Sequence, residues 1–209
     1  MVFSTPIFLF LFLPAVLVLN YIIPKKYIAA KNVVLLIASL FFYAWGEPKN
    51  VLLMLLSIAV NYVCGLLLGR FDSDEKKRKV VLWASVVFNL GLLFFFKYFN
   101  FVTGGIFPAI KLPIGISFFT FQIMSYTIDV YRRSVEPQKS LLKLALYISL
   151  FPQLIAGPIV RYIDVEKQLT YRECTAEKTA RGMIRFSMGL AKKVIVSNTV
   201  AAICDGIFG

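Results

Sequence analysis

The stretch LFPQLIAGPIVR, residues 150–161, closes a long apolar run with two prolines, a glycine, a glutamine and an arginine. Proline lacks a backbone N–H and glycine weakens a helix. Pro152, Gly157 and Pro158 therefore predict a break where a transmembrane helix should be regular. The freed carbonyls and the amide of Gln153 are expected to face protein or water, because lipid cannot hydrogen-bond them. A simple proline kink is the structural alternative.

The composition around this stretch is that of a membrane protein. Of 209 residues, 59% are hydrophobic and only 16% are charged, against about 25% charged residues in soluble domains. We predict an all-α, polytopic helical membrane protein. The net charge of +12 lies mainly between apolar runs, which indicates topology-setting loops that contact anionic lipid headgroups, and no nucleic-acid partner.

Basic and neutral connections alternate along the chain. The apolar runs occupy residues 6–23, 32–46, 50–69, 79–97, 113–130, 142–160 and 183–204. The first, third and fifth connections are rich in Lys and Arg, whereas the second and fourth are poor in them. By the positive-inside rule the rich connections are cytoplasmic, which puts the N-terminus outside. The first run has neither a preceding positive charge nor a cleavage site, so we expect a retained span.

The sixth connection breaks this alternation. Residues 161–181 are rich in Lys and Arg, yet they would be outside if residues 142–160 crossed the bilayer. We therefore predict that residues 142–160 form a re-entrant or in-plane broken helix that walls a cavity, with Arg161 at the cytoplasmic mouth. There Arg161 could bind a phosphate, a carboxylate or a lipid headgroup. Thr175 is predicted to cap a following helix that begins in the membrane interface, with an ordinary solvated charged face as the alternative for that helix.

A second polar feature precedes the break. Four residues fall at helical spacing on one face: Gln122, Ser125, Tyr126 and Asp129. Asp129 needs a partner in a membrane, and Arg132 and Arg133 are close enough in sequence to supply one. Two interpretations remain open, helix–helix hydrogen bonding and a stripe that faces a substrate. Asn61, Asn89 and Asn100, within or beside apolar runs, are predicted to hydrogen-bond between helices.

Together the two segments resemble a known family. LPIGISFFTFQIMSYTIDVYR followed by YISLFPQLIAGPIVR is similar to the membrane-bound O-acyltransferases, in the bacterial branch of alginate O-acetylation and D-alanyl teichoic acid transfer. The resemblance spans the whole chain as the N-terminal part of one transmembrane domain. It implies a partial ring of helices around a thin centre, with no bound cofactor and no metal. Five residues would line or brace the substrate path: Gln122, Tyr126, Asp129, Gln153 and Arg161.

The resemblance also implies a reaction and its participants. An acyl donor, acetyl-CoA or an acyl carrier, is presented from the cytoplasm at the bacterial inner membrane. The acyl group then passes to a hydroxyl acceptor, an exopolysaccharide such as alginate or a cell-wall polymer, through extracytoplasmic partner proteins.

One departure from the family is decisive for catalysis. The family's hallmark histidine is absent, because the sequence contains no histidine. Members are about twice as long, so we expect an N-terminal portion, with a degenerate noncatalytic homologue as the alternative. No catalytic residue is assigned. A transporter or channel, and a noncatalytic membrane scaffold, remain competing functions.

Overall fold

A computed structural model describes residues 3–104, 111–154, 157–172 and 174–208. Within these ranges the chain is helical and contains no β-strand. The helices are α1 (Leu13–Ile22, preceded by a π-helical turn at Phe8–Phe12), α2 (Ile28–Gly46), α3 (Asn50–Arg70), α4 (Glu75–Lys97), α5 (Phe99–Val102) and α6 (Ile116–Tyr131). They continue with α7 (Leu141–Ser149), α8 (Phe151–Leu154), α9 (Tyr162–Thr170), α10 (Ala176–Ala191, followed by a π-helical turn at Lys192–Ser197) and α11 (Asn198–Phe208).

Three of these helices, α2, α3 and α4, are long and apolar enough to cross a membrane. This confirms the all-α, polytopic membrane fold. The run at 32–46 is part of a 19-residue helix, longer than the sequence suggested. The run at 113–130 becomes the 16-residue α6, which at 1.5 Å per residue is about 24 Å long. Within the fourth connection, residues 105–110 lie outside the described residues.

Local sequence explains where several helices begin. Gly115 has φ 77° and precedes α6, a left-handed conformation that glycine adopts without strain. Asp74, Ser140 and Thr175 each accept a hydrogen bond from a backbone N–H in the first turn of the next helix. The predicted cap at Thr175 is thereby confirmed.

The basic connections meet at one end of the bundle, which we name the basic end. The end of α6 and the α3–α4 connection meet through Arg133, which pairs with Asp72 and Glu75 at 3.0 and 2.7 Å. α9 joins them, because Gln138 Nε2, in the connection after α6, donates to the Tyr162 hydroxyl of α9. The start of α2 in turn contacts α9, because Asn32 Nδ2 donates to the Leu169 carbonyl at 2.8 Å. The first, third, fifth and sixth connections are thus on one side of the molecule.

The two poorly charged connections meet at the opposite end. Lys111 pairs with Glu47 at 3.0 Å, and the Tyr43 hydroxyl donates to the Ile114 carbonyl at 3.0 Å. The alternation counted in the sequence therefore corresponds to two physical ends of the bundle.

Between the ends, α3, α4 and α6 share a buried polar cluster. Asn61 Oδ1 accepts hydrogen bonds from Ser85 Oγ at 2.7 Å, Asn89 Nδ2 at 2.8 Å and Thr127 Oγ1 at 3.3 Å. These groups satisfy one another away from water, as intramembrane polar groups must. The predicted helix-to-helix role of Asn61 and Asn89 is confirmed. For Asn100 the prediction is not borne out, because its Oδ1 atom is buried without a hydrogen-bond partner among the described residues.

Candidate functional site

The apolar run at 142–160 is broken as predicted. α7 has only nine residues and ends where Leu150 turns to an extended conformation, with ψ 114°. α8 has four residues, and Gly157 has φ 130°. At 1.5 Å per residue α7 is about 14 Å long, less than half the hydrocarbon thickness of about 30 Å. The run therefore does not cross the bilayer as one helix; residues 155–156 lie outside the described part.

Both ends of the broken segment return to the basic end. At its start, Lys143 Nζ donates to Thr170 Oγ1 of α9 at 2.9 Å. Further along, the Tyr147 hydroxyl donates to the Val160 carbonyl at 2.7 Å, which ties the end of the segment to α7. The segment leaves the basic end and comes back to it. This return explains why the sixth connection carries so many positive charges.

The carbonyl freed by the break is fully used. In a continuous helix the Tyr147 carbonyl would accept from the N–H of Phe151, but that N–H donates to Ser39 Oγ at 3.2 Å. Gln122 Nε2 and Gln153 Nε2 donate to the Tyr147 carbonyl instead, at 2.8 and 2.5 Å. Two of the predicted site residues therefore meet at the break and replace its lost helical hydrogen bond.

Asp129 and Arg161 form the second connection between α6 and the broken segment. Arg161 Nη2 donates to Asp129 Oδ1 at 2.5 Å, and the carboxylate raises the pKa of the guanidinium. The expected pairing of Asp129 with Arg132 or Arg133 is wrong. Arg133 has φ 59°, and its guanidinium contacts the α3–α4 connection instead. Arg161 binds a carboxylate, one of the three predicted ligands, and that carboxylate is internal.

Tyr126 is fully buried in the same face of α6. Its hydroxyl accepts from the Gln138 N–H at 3.0 Å, and its ring packs edge-on against Tyr162 at 5.1 Å. Tyr162 packs in the same way on Tyr147, at 5.2 Å. Sequence reasoning missed both Tyr147 and Tyr162, which join the break to α6 and α9.

The five predicted residues therefore lie along one contact surface, between α6 and the segment from Tyr147 to Arg161. Gln122, Tyr126 and Asp129 are at most 3% exposed, so in this conformation they brace the break. On the other side of the segment, Leu150, Phe151 and Pro152 line an open cavity of about 440 Å³.

Arg78 is a further important residue that the sequence did not single out. It lies in the basic run of the third connection, yet it is only 1% exposed. Its guanidinium donates to the carbonyls of Leu68, Val130 and Tyr131 and to the Asp72 carboxylate. It therefore caps the ends of α3 and α6 and fixes the helix that carries the candidate residues.

The described residues contain no cluster of three His, Cys, Asp or Glu side chains that could hold a metal ion. What the arrangement provides is a hydrogen-bonded break in a membrane helix, beside a cavity and next to a strongly basic surface.

Comparison with known proteins gives close relatives. The chain is 40% identical to Probable alginate O-acetylase AlgI of Pseudomonas aeruginosa, over all of this chain and 42% of that protein. It is 39% identical to the protein of the same name in Azotobacter vinelandii, over all of this chain and 44% of that protein. It is 34% identical to a peptidoglycan O-acetyltransferase of Helicobacter pylori, over 98% of this chain and 46% of that protein.

These relatives confirm the resemblance to membrane-bound O-acyltransferases, and the chain spans less than half of their length. No family model matches the chain. No solved structure matches it.

Proposed function

We propose that this chain, a homologue of membrane O-acetyltransferases along essentially its whole length, acts in O-acetyl transfer to an exopolysaccharide or a cell-wall polymer. The supporting observation is the 40% identity to an alginate O-acetylase across all 209 residues. A relationship at this level carries more weight than the transporter or scaffold interpretations, for which the structure offers no specific support among the described residues.

The broken segment has a mechanical role in this proposal. Gln122 and Gln153 brace the break, and Asp129 with Arg161 holds its return to the basic end. Tyr126 packs against Tyr162, just beyond the broken segment. A rigid break would keep non-helical backbone at membrane depth without exposing it to lipid. These residues thus maintain the wall of the donor path, and none of them is assigned a chemical step.

The proposed orientation of the protein in the membrane follows from the charges at its two ends. The basic end faces the cytoplasm of a bacterial cell, the protein is in the inner membrane, and the N-terminus is outside. A cytoplasmic donor, acetyl-CoA or an acyl carrier, approaches the basic end. Extracytoplasmic acetyltransferase partners receive the acetyl group on the other side. The donor enters as a substrate rather than as a resident cofactor.

Deletion of the gene in its own host tests the function. Ester-linked acetyl groups on exopolysaccharide and on cell-wall polymers are measured by NMR after purification of each polymer. We expect one polymer to lose its acetyl esters and a plasmid copy to restore them. Unchanged acetyl content in both polymers would show that the proposal is wrong.

The bracing role is tested in the same strain. The Gln122→Leu, Gln153→Leu double variant leaves the Tyr147 carbonyl without its donors and should lower acetylation at equal membrane abundance. Gln168→Leu on the exposed surface of α9 is the matched control and should leave acetylation unchanged. Full acetylation by the double variant would show that Gln122 and Gln153 do not brace the break. It would not contradict the proposed acetyl-transfer function.

A further inference from the structure

A continuous apolar groove follows α1. The cavity of about 440 Å³ beside the break shares Leu13 and Leu17 with two further cavities, of about 650 and 480 Å³, between α1 and α10. The groove extends from Asn20, near the basic end, to Phe8. At 1.5 Å per residue these positions are about 18 Å apart along the helix, close to half of a bilayer's hydrocarbon thickness of about 30 Å.

Lys31 places a positive charge at the end of this groove that is near the basic end. Lys31 lines the cavity and is only 5% exposed. Among the described residues, its ammonium group has no ion pair and no hydrogen bond. Asn20 lines the same cavity, and its Nδ2 atom is buried without a hydrogen-bond partner in the same ranges. Both groups are hydrogen-bond donors at the same cavity, and an anion bound there could accept from both.

We propose that this groove binds one anionic phospholipid of the surrounding bilayer. The phosphate accepts hydrogen bonds from Lys31 and Asn20, and an acyl chain lies along α1 over Leu17 and Leu13. This assignment goes beyond acetyl transfer and does not depend on it.

Three observations select a phospholipid over other occupants. A cationic donor beside an amide donor favours an acceptor that carries negative charge, such as a phosphate, which a diacylglycerol or an apolar helix does not provide. Below them the groove surface is mostly apolar, with Arg185 and Lys193 among the residues that line its far part. Leu17 is 44% exposed, so a chain can enter sideways. The direction also matches, because the charge is at the basic end, where Asn32 contacts α9. Basic pockets between membrane helices bind anionic headgroups in this position.

Native mass spectrometry of the delipidated protein in neutral detergent tests the assignment. Phosphatidylglycerol and diacylglycerol with identical acyl chains are titrated separately, and glycerol phosphate serves as the free-headgroup probe. We expect one phosphatidylglycerol to bind more tightly than diacylglycerol, which lacks the phosphate, and glycerol phosphate not to bind. Lys31→Met should weaken phosphatidylglycerol binding by about fivefold, the effect of one lysine at a headgroup.

Matched variants separate the headgroup from the chain. Lys25→Met removes the same charge from an exposed position in the same connection and should bind as the wild type does. Leu17→Trp fills the groove and should weaken both lipids. If Lys31→Met is not monodisperse, Asn20→Leu with Leu17→Trp decides the question in its place.

Several binding results would overturn the assignment of a phospholipid to this groove. Equal affinity of the wild type for the two lipids would overturn it, as would unchanged phosphatidylglycerol binding by Lys31→Met. Strong binding of glycerol phosphate would identify a free-phosphate site instead. A dimer that Leu17→Trp dissociates would show that a second copy occupies the groove.

Discussion

Replacing Arg78 with methionine should destabilise this protein more than any change to the exposed basic residues nearby. Its guanidinium donates at 2.8 Å to the Leu68 carbonyl, at 3.2 and 2.6 Å to the Val130 and Tyr131 carbonyls, and at 2.7 Å to Asp72. Methionine fills a similar volume but donates nothing. Three helix-terminal carbonyls would then lose their shared donor.

The size of the effect follows from this geometry. Leaving a buried acceptor without its donor costs about 1–3 kcal/mol. Asp72 is 62% exposed and keeps Arg133 at 3.0 Å as a partner, so the cost comes from the three carbonyls and amounts to about 3 kcal/mol in total. At about 2–4 °C per kcal/mol for a chain of this length, the melting temperature should fall by about 6–12 °C. The melting temperature of Arg78→Lys should lie between those of the wild type and Arg78→Met, because one ammonium cannot reach all four acceptors.

Thermal unfolding of the detergent-solubilised protein, followed by tryptophan fluorescence, measures this shift. Arg70→Met is the matched control, because Arg70 is an exposed arginine at the end of α3, and its loss should change stability by no more than about 0.5 kcal/mol. If Arg78→Met and Arg70→Met melt together, the buried guanidinium does not hold α3 and α6, and this account of the basic end is wrong.

Other changes have equally specific outcomes. Gly65→Ala places a Cβ 2.6 Å from a buried phenol oxygen and should cost about 1–3 kcal/mol, whereas Gly91→Ala, with open space around it, should be neutral or stabilising in the same thermal assay. Arg161→Met should lower the melting temperature more than Asp129→Asn, because the carboxylate is 3% exposed and the guanidinium 52%; the reverse order would contradict the assigned pairing. The backbone N–H at the start of α4 holds the pKa of Asp74 below its ordinary value, so its stabilisation is complete above that value and is lost as the pH falls through the lower folded-state pKa. The stability difference between wild type and Asp74→Ala should shrink over that range, and a difference that grows would refute the cap.

The interruption of the helix between α7 and α9 could be predicted from sequence because its causes are local. Pro152 removes a donor wherever it lies, and Gly157 permits a conformation that other residues resist. The charge count over residues 161–181 added an independent reason, since loop charge reports the side of the membrane. Two local signals therefore identified the broken segment. In the structure, the hydrogen bond from Tyr147 to Val160 joins its two ends.

The partner of Asp129 could not be predicted in the same way. Sequence favours neighbours within one helical turn, and Arg132 and Arg133 satisfied that criterion. The actual partner is 32 residues away, because the return of the broken segment brings Arg161 to the end of α6. Tertiary packing decided this pairing, and no periodicity in a single sequence encodes it.

Arg78 shows a related limit. It is one of several basic residues in the run EKKRK, whose composition is typical of a solvated loop. Only its position opposite the ends of α3 and α6 makes it a buried cap. Tyr147 and Tyr162 were missed for the same reason, since an aromatic residue in an apolar segment gives no sign of which carbonyl its hydroxyl will reach.

The central claim is that residues 142–160 leave and return on the same side of the membrane, and cysteine accessibility in whole cells measures it most directly. With Cys64, Cys174 and Cys204 replaced, single cysteines are introduced at Gln168 in the sixth connection, at Lys76 at the basic end and at Lys49 at the opposite end, all three exposed. We expect an impermeant thiol reagent to label Lys49→Cys from outside the cell, and to label Gln168→Cys and Lys76→Cys only after permeabilisation. Labelling of Gln168→Cys in intact cells, together with Lys49→Cys and without Lys76→Cys, would mean that the segment crosses the bilayer.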